Sequence, residues 1–164
     1  MDSKFKVKQI TKLYESCNKC GLPIINCICN IVPKIETKAK IWILSSEKEF
    51  SRPSNTARLL KLVNQKSTEL FLWERKNIPE KLIDYINSKE YEIYILFPTE
   101  NDESLERKFE YKASKKTPAF IILDGTWKEA AKMFRKSDYL KKLPRISLNP
   151  IYKSEYTLRR SEER

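Results

Sequence analysis

The 164-residue sequence predicts an α/β domain, a mostly parallel sheet with helices on both faces, with a small four-cysteine module at its N-terminal end. Three observations predict it. Short apolar runs alternate with segments of helical periodicity in the order β-α-β-α-β-α-β, which calls for a parallel sheet covered by helices. The most apolar run, residues 119–123, passes directly into Asp124-Gly125-Thr126 and then a helical pattern. All four cysteines fall within thirteen residues, from Cys17 to Cys29.

The N-terminal segment, residues 1–33, is read as the cysteine module, with a boundary near Pro33. Cys17-Asn18-Lys19-Cys20-Gly21 is a C-x-x-C knuckle, and Cys27 and Cys29 close the set. Thiolates at this spacing can converge on one tetrahedral ion while the glycine lets the chain turn. Disulfides are disfavoured in a chain whose first fifteen residues lack an apolar signal core. A redox C-x-x-C ordinarily opens a helix after a strand, whereas this one precedes Gly-Leu-Pro and two further cysteines. The expected site is a closed, structural, all-thiolate Zn2+ site.

The body, residues 34–164, then unfolds element by element. Residues 40–44 read as a short buried strand, and residues 45–53 as a polar loop. Ser54 or Asn55 can cap a helix carrying Arg58, Leu59, Leu60, Leu62 and Val63. Residues 68–72 are a second strand. Pro79 opens a helix with Leu82, Ile83 and Ile86 on one face. A third strand covers 91–97 and stops at Pro98. The charged stretch 99–116 is open between helix and loop. Residues 119–123 form the next strand, 127–136 a helix, and 143–148 a last strand. The sequence has only two glycines, Gly21 and Gly125, which marks both as positions where a side chain would obstruct backbone geometry or a ligand.

Composition narrows the function. A chain 40% apolar and 34% charged is globular, and its longest apolar runs of about five residues fall far short of the ~20 a bilayer needs. The expectation is a cytoplasmic protein with no membrane role. Histidine is absent, which removes Ser-His-Asp hydrolysis, imidazole proton shuttles and histidine metal sites. Net charge is +11 and unevenly spread: residues 1–106 hold 17 basic and 15 acidic side chains, residues 107–164 hold 16 and 7. The surplus of the last third is what a polyanion would feel, and a basic face for nucleic acid explains it better than a uniformly solvated surface.

The strand–turn–helix at 119–136 is the geometry that builds a ligand crevice at the carboxyl ends of parallel strands. Asp124 would emerge at the strand tip, Gly125 would permit close approach, and Thr126 would bond a ligand. The competing explanation is that Asp124 and Thr126 only cap the helix, a role worth about 1 kcal/mol.

Taken together, these segments resemble the DTW-domain family. Asp124-Gly125-Thr126-Trp127 matches the Asp-x-Thr-Trp signature. Cys17-x-x-Cys20-x-Leu22-Pro23 with Cys27-x-Cys29 is similar to the family's cysteine module, and Arg52-Pro53-Ser54-Asn55-Thr56-Ala57-Arg58-Leu59 to its Arg-x-x-Asn-Thr-x-Arg-Leu segment. Leu143-Pro144-Arg145 is similar to the stretch after the signature helix, so the matches span residue 17 to about 160 in family order. The resemblance implies a SPOUT-like fold with a C-terminal knot around S-adenosylmethionine, an exception to the unknotted rule. It implies a tRNA-uridine aminocarboxypropyltransferase that moves the 3-amino-3-carboxypropyl group of S-adenosylmethionine to uridine N3 and releases methylthioadenosine. Two departures matter. Ser46 stands where the family often has a histidine, so no imidazole role carries over. The family also continues past Arg159-Arg160 into a Ser-Thr-x-Glu-Ala segment, so a chain ending at Arg164 is expected to leave the knot incomplete.

The chemistry assigns the candidate residues. Uridine N3–H is a weak acid, and N3 attacks carbon well once a base takes its proton; the enzyme has chiefly to align N3 opposite the departing sulfur. Asp124 is the candidate base or orienting carboxylate, and Thr126 and Trp127 complete the catalytic set, Trp127 by stacking on a base or else by packing in the core. Leu123, Asp124, Gly125, Thr126 and Leu148 are expected around the donor. Arg52 and Arg58 suit phosphate or the donor carboxylate, since a guanidinium meets two oxygens at once. Asn55 and Thr56 serve either the substrate or the helix cap. Lys128, Lys132 and Arg135, with Lys136, are expected to meet tRNA phosphates. Two other classes share these features: an RNA methyltransferase of the same fold, and a non-enzymatic zinc-containing RNA-binding protein.

Overall fold

The computed structural model describes residues 15–53, 55–98 and 115–147. Its centre is a five-stranded sheet made of β1 (Lys40–Ser46), β2 (Thr68–Trp73), β3 (Tyr91–Leu96), β4 (Thr117–Asp124) and β5 (Arg145–Ile146). The strands stand in the order β2-β1-β4-β3-β5, and every pairing is parallel. The helices are α1 (Glu47–Phe50), α2 (Ala57–Val63), α3 (Glu80–Asn87), α4 (Trp127–Lys136) and α5 (Asp138–Lys141), with a 3-10 turn at Ile24–Asn26 in the cysteine module. The expected α/β architecture is observed.

Central strands of a parallel sheet are covered on both faces, which is why β1 and β4 read as unbroken apolar runs. Trp42, Leu44, Phe71, Ile93, Ile95, Ala119 and Ile121 form one core cluster, closed by Leu82 of α3 and Leu140 of α5. Trp42 stacks on Tyr85 of α3 at 4.9 Å between ring centroids, and Phe97 stacks on Phe134 of α4 at 5.0 Å. The chain steps from β1 to β2 in one direction, then from β2 to β3 and from β4 to β5 in the other. Right-handed crossovers therefore set α2 on the face opposite α3, α4 and α5. No helix among the described residues is long and apolar enough to cross a membrane.

Some boundaries differ from expectation. The polar loop 45–53 contains the helical turn α1, started by Ser46, whose Oγ accepts from the Glu49 N–H at 3.4 Å. A four-residue turn is too short to show a period. The helix after it starts at Ala57: Ser54 lies outside the described residues, and Asn55 Oδ1 accepts from the Ala57 N–H at 2.7 Å. The last strand, expected over 143–148, is observed as Arg145–Ile146, because the Leu143 N–H turns back to the Leu140 carbonyl at 3.1 Å and Pro144 has no N–H to give the ladder. Pro144 still accepts from the Ile95 N–H at 3.0 Å. Leu148, the C-terminal knot and residues 99–114 of the undecided charged stretch lie outside the described residues.

Candidate active site and metal centre

In this strand order β1 and β4 are neighbours whose chains leave in opposite directions, β1 toward β2 and β4 toward β5. That is a topological switch point, where the crevice at the carboxyl ends of the strands binds ligands in open α/β sheets. Ser45 and Asp124 face each other across this junction as paired residues of β1 and β4.

Asp124 closes β4, and one of its oxygens is held twice. Ser45 Oγ donates to Oδ2 at 2.8 Å, and Asn55 Nδ2 donates to the same Oδ2 at 2.8 Å. Both donors are buried, Ser45 to 1% exposure and Asn55 to 6%. Asn55 is itself fixed, since its Nδ2 also donates to the Glu49 carbonyl at 2.7 Å and its Oδ1 takes the Ala57 N–H. Oδ1 of Asp124 has no hydrogen bond among the described residues. Asp124 is thus anchored by the segment between β1 and α2, and the helix-cap explanation does not apply to it.

That explanation does apply to Thr126. Its Oγ1 accepts from the Glu129 N–H at 3.3 Å, while the Thr126 N–H and hydroxyl both donate to Glu129 Oε2 at 2.8 Å, a reciprocal capping box. The Thr126 N–H and hydroxyl hold the Glu129 carboxyl below the ordinary carboxylate range against some burial, with help from the positive charges of Lys48 and Arg52. A Cβ on Gly125 would come within 3.0 Å of Glu129 Cβ, so this glycine admits the cap. Leu123 packs against the core. Trp127 is 55% exposed at the first position of α4, which excludes the core role considered for it.

The two arginines part company. Arg52 stands at the rim with its side chain 40% exposed, and Nη1 pairs with Glu49 Oε1 at 2.7 Å. Arg58, expected to meet phosphate or a carboxylate, is buried, and its guanidinium donates to the carbonyls of Phe50 and, at 3.5 Å, Asn18. Burial pushes its pKa down. It ties α2 to α1 and the cysteine module, and its substrate role is corrected accordingly. Thr56 is exposed and makes no side-chain cap bond. Lys128, Lys132, Arg135 and Lys136 are all exposed along one stripe of α4, opposite the buried Ala130 and Met133.

The four cysteines converge. Their sulfurs all lie within 4.8 Å of one another, with Cys17–Cys29 at 3.7 Å and Cys20–Cys27 at 3.9 Å, and none is in a disulfide. A tetrahedral Zn–S site with ~2.3 Å bonds has sulfurs ~3.8 Å apart, so the donor set fits Zn2+. Burial raises the Cys17 thiol, but the N–H groups of Cys20 and Lys19 and the thiols of Cys27 and Cys29 outweigh it and bring the pKa to about 6. Cys29 is pushed up to about 12 by burial and by its neighbours' thiols. Gly21 turns the knuckle at φ 81°, donating its N–H to the Cys17 carbonyl at 2.8 Å. A Cβ there would also meet the Pro53 carbonyl oxygen at 2.4 Å.

Sequence reasoning missed Ser45, Glu49 and Glu129. The Thr-x-x-Glu spacing of a capping box announces Glu129. Glu49 stands at i,i+3 spacing from Arg52, its ion-pair partner, so the pair is visible in the sequence. Ser45 carries no local signal, because its role depends on β1 lying beside β4.

A comparison with known proteins finds the DTW domain model matching residues 14–164. A Drosophila melanogaster protein named tRNA-uridine aminocarboxypropyltransferase 2 is 24% identical over 155 residues, covering 88% of this chain and 58% of that protein. The chain therefore spans less than two thirds of that relative's length. No solved structure matches the chain. With the family model covering nearly its whole length, including the cysteine cluster and the Asp124–Trp127 turn, the chain belongs to the DTW-domain family.

Proposed function

We propose that the chain is a cytoplasmic tRNA-uridine aminocarboxypropyltransferase, in which residues 34–164 bind S-adenosylmethionine and tRNA and residues 1–33 form a zinc-braced knob. Family membership and the name of the fly relative support the reaction class. The observation that carries the reading is Asp124, held by two buried donors at the switch point with one carboxylate oxygen left without a partner among the described residues.

S-adenosylmethionine supplies an electrophilic carbon whose leaving group departs as a neutral thioether. Asp124 Oδ1 accepts the uridine N3–H and takes its proton as the N3–C bond forms and the C–S bond breaks. The main chain of Leu123, Gly125 and Thr126, with Leu148, lines the donor; the Thr126 hydroxyl is already engaged in the cap. Trp127, exposed at the first position of α4, stacks on a nucleobase. Arg52 and the Thr56 hydroxyl meet a phosphate or the donor carboxylate at the rim, and Lys128, Lys132 and Arg135 meet tRNA phosphates.

Unmodified tRNA incubated with the full chain and S-adenosylmethionine, followed by nucleoside mass analysis, tests this. The expected product is uridine carrying an aminocarboxypropyl group, and Asp124→Asn should abolish it while tRNA binding persists. A methylated nucleoside would make the chain a methyltransferase. No modified nucleoside, with tRNA bound and no heat on titration with S-adenosylmethionine, would make it an RNA-binding zinc protein. Unimpaired transfer by Asp124→Asn removes the carboxylate from the mechanism.

A further inference from the structure

Asn55 was a candidate substrate contact on sequence alone, and Ser45 was no candidate. Both are buried, and both donate to a single carboxylate oxygen. Asn55 has neither N–H left for a ligand, because its amide donates to Asp124 and the Glu49 carbonyl. Among the described residues, the Ser45 hydroxyl makes one hydrogen bond, to Asp124 Oδ2. Two donors from different segments, the end of β1 and the turn before α2, thus restrict rotation of the carboxylate and leave Oδ1 as the oxygen without a hydrogen bond among the described residues.

We propose that Ser45 and Asn55 are positioning residues that fix the Asp124 carboxylate for proton transfer, and that neither touches substrate. This rests on the role given to Asp124 above. It follows that removing a donor loosens the carboxylate and slows the chemical step, leaving affinity for donor and tRNA in place. Geometric loosening of a reacting group by an ångström can cost on the order of 100-fold in rate.

Ser45→Ala is the sharper variant, since it deletes one hydroxyl, which donates to Asp124. Asn55→Ala also strips the Ala57 cap and the Glu49 contact and risks unfolding. The measurement is kcat and KM for tRNA and for S-adenosylmethionine in wild type, Ser45→Ala, Ser45→Thr and Asp124→Asn, with melting temperature and zinc content for each. The expected result is that Ser45→Ala lowers kcat about tenfold or more, leaves both KM values and the zinc content at wild-type levels, and is rescued by the hydroxyl of Ser45→Thr. Wild-type kcat in Ser45→Ala beside an inactive Asp124→Asn overturns the positioning role alone. Equal loss in Ser45→Thr and Ser45→Ala also overturns it, because the hydroxyl then does not matter. Wild-type kcat in Asp124→Asn overturns the underlying reading instead.

Discussion

Glu129 Oε2 accepts from both the N–H and the hydroxyl of Thr126, and that pair of bonds holds the carboxyl below the ordinary carboxylate value of 4.5. A carboxylate depressed on folding adds stability that is present above its unfolded value and lost as pH falls through the folded one. Wild type should therefore lose this contribution on acidification through the carboxylate range, as the cap weakens. Glu129→Gln lacks that titration, so melting curves of the two proteins should converge between about pH 6 and pH 3. A stability gap constant across that range would show the cap to be indifferent to charge. The cap was legible in the sequence, since Thr126 and Glu129 stand at capping-box spacing. The anchoring of Asp124 was not. Nothing local to Ser45 or Asn55 says which carboxylate will lie beside them, because those partners are 79 and 69 residues away. Arg58 misled for a related reason, as a guanidinium in a polar segment is equally suited to phosphate and to buried carbonyls until burial decides.

At the scale of elements, α4 carries two opposed faces. Ala130 and Met133 are buried, while Lys128, Lys132, Arg135 and Lys136 form an exposed row. Cations i and i+4 apart on one surface track a phosphate backbone, and each phosphate neutralised adds close to one unit to the salt slope of binding. The double variant Lys128→Ala/Lys132→Ala should weaken tRNA binding and reduce the slope of log K against log salt by about one to two. An unchanged slope would move the RNA surface elsewhere on the chain. This row was legible because it needs only helical periodicity. The short α1 and α5 were not, since four residues show no period. The central strands were legible as apolar runs, but their order was not. Neither run in the sequence says that β1 is flanked by β2 and β4, and the switch point exists only through that order.

At the scale of the whole molecule, the cysteine module bears on the segment that holds Asp124. Gly21 is closed against the Pro53 carbonyl so tightly that a Cβ would fall 2.4 Å from its oxygen. Arg58 spans from the Asn18 carbonyl in the knuckle to the Phe50 carbonyl at the end of α1. Asn55, between those two ties, donates to Asp124. A metal that fixes Cys17 and Cys20 therefore fixes the knuckle that Pro53 and Arg58 lean on. Without it, four thiols, one with pKa lowered to about 6 and one raised to about 12, are left to shift apart. Removing zinc with a chelator should free four titratable thiols, lower the melting temperature and lower kcat for transfer, all reversed on adding Zn2+. Gly21→Ala should reproduce the loss of kcat with zinc still bound, because it pushes on Pro53 directly and, at φ 81°, also strains its own backbone. A metal-free protein that retains both its melting temperature and its kcat would reduce the module to an appendage, and the ties through Gly21 and Arg58 would then carry no mechanical load toward Asp124.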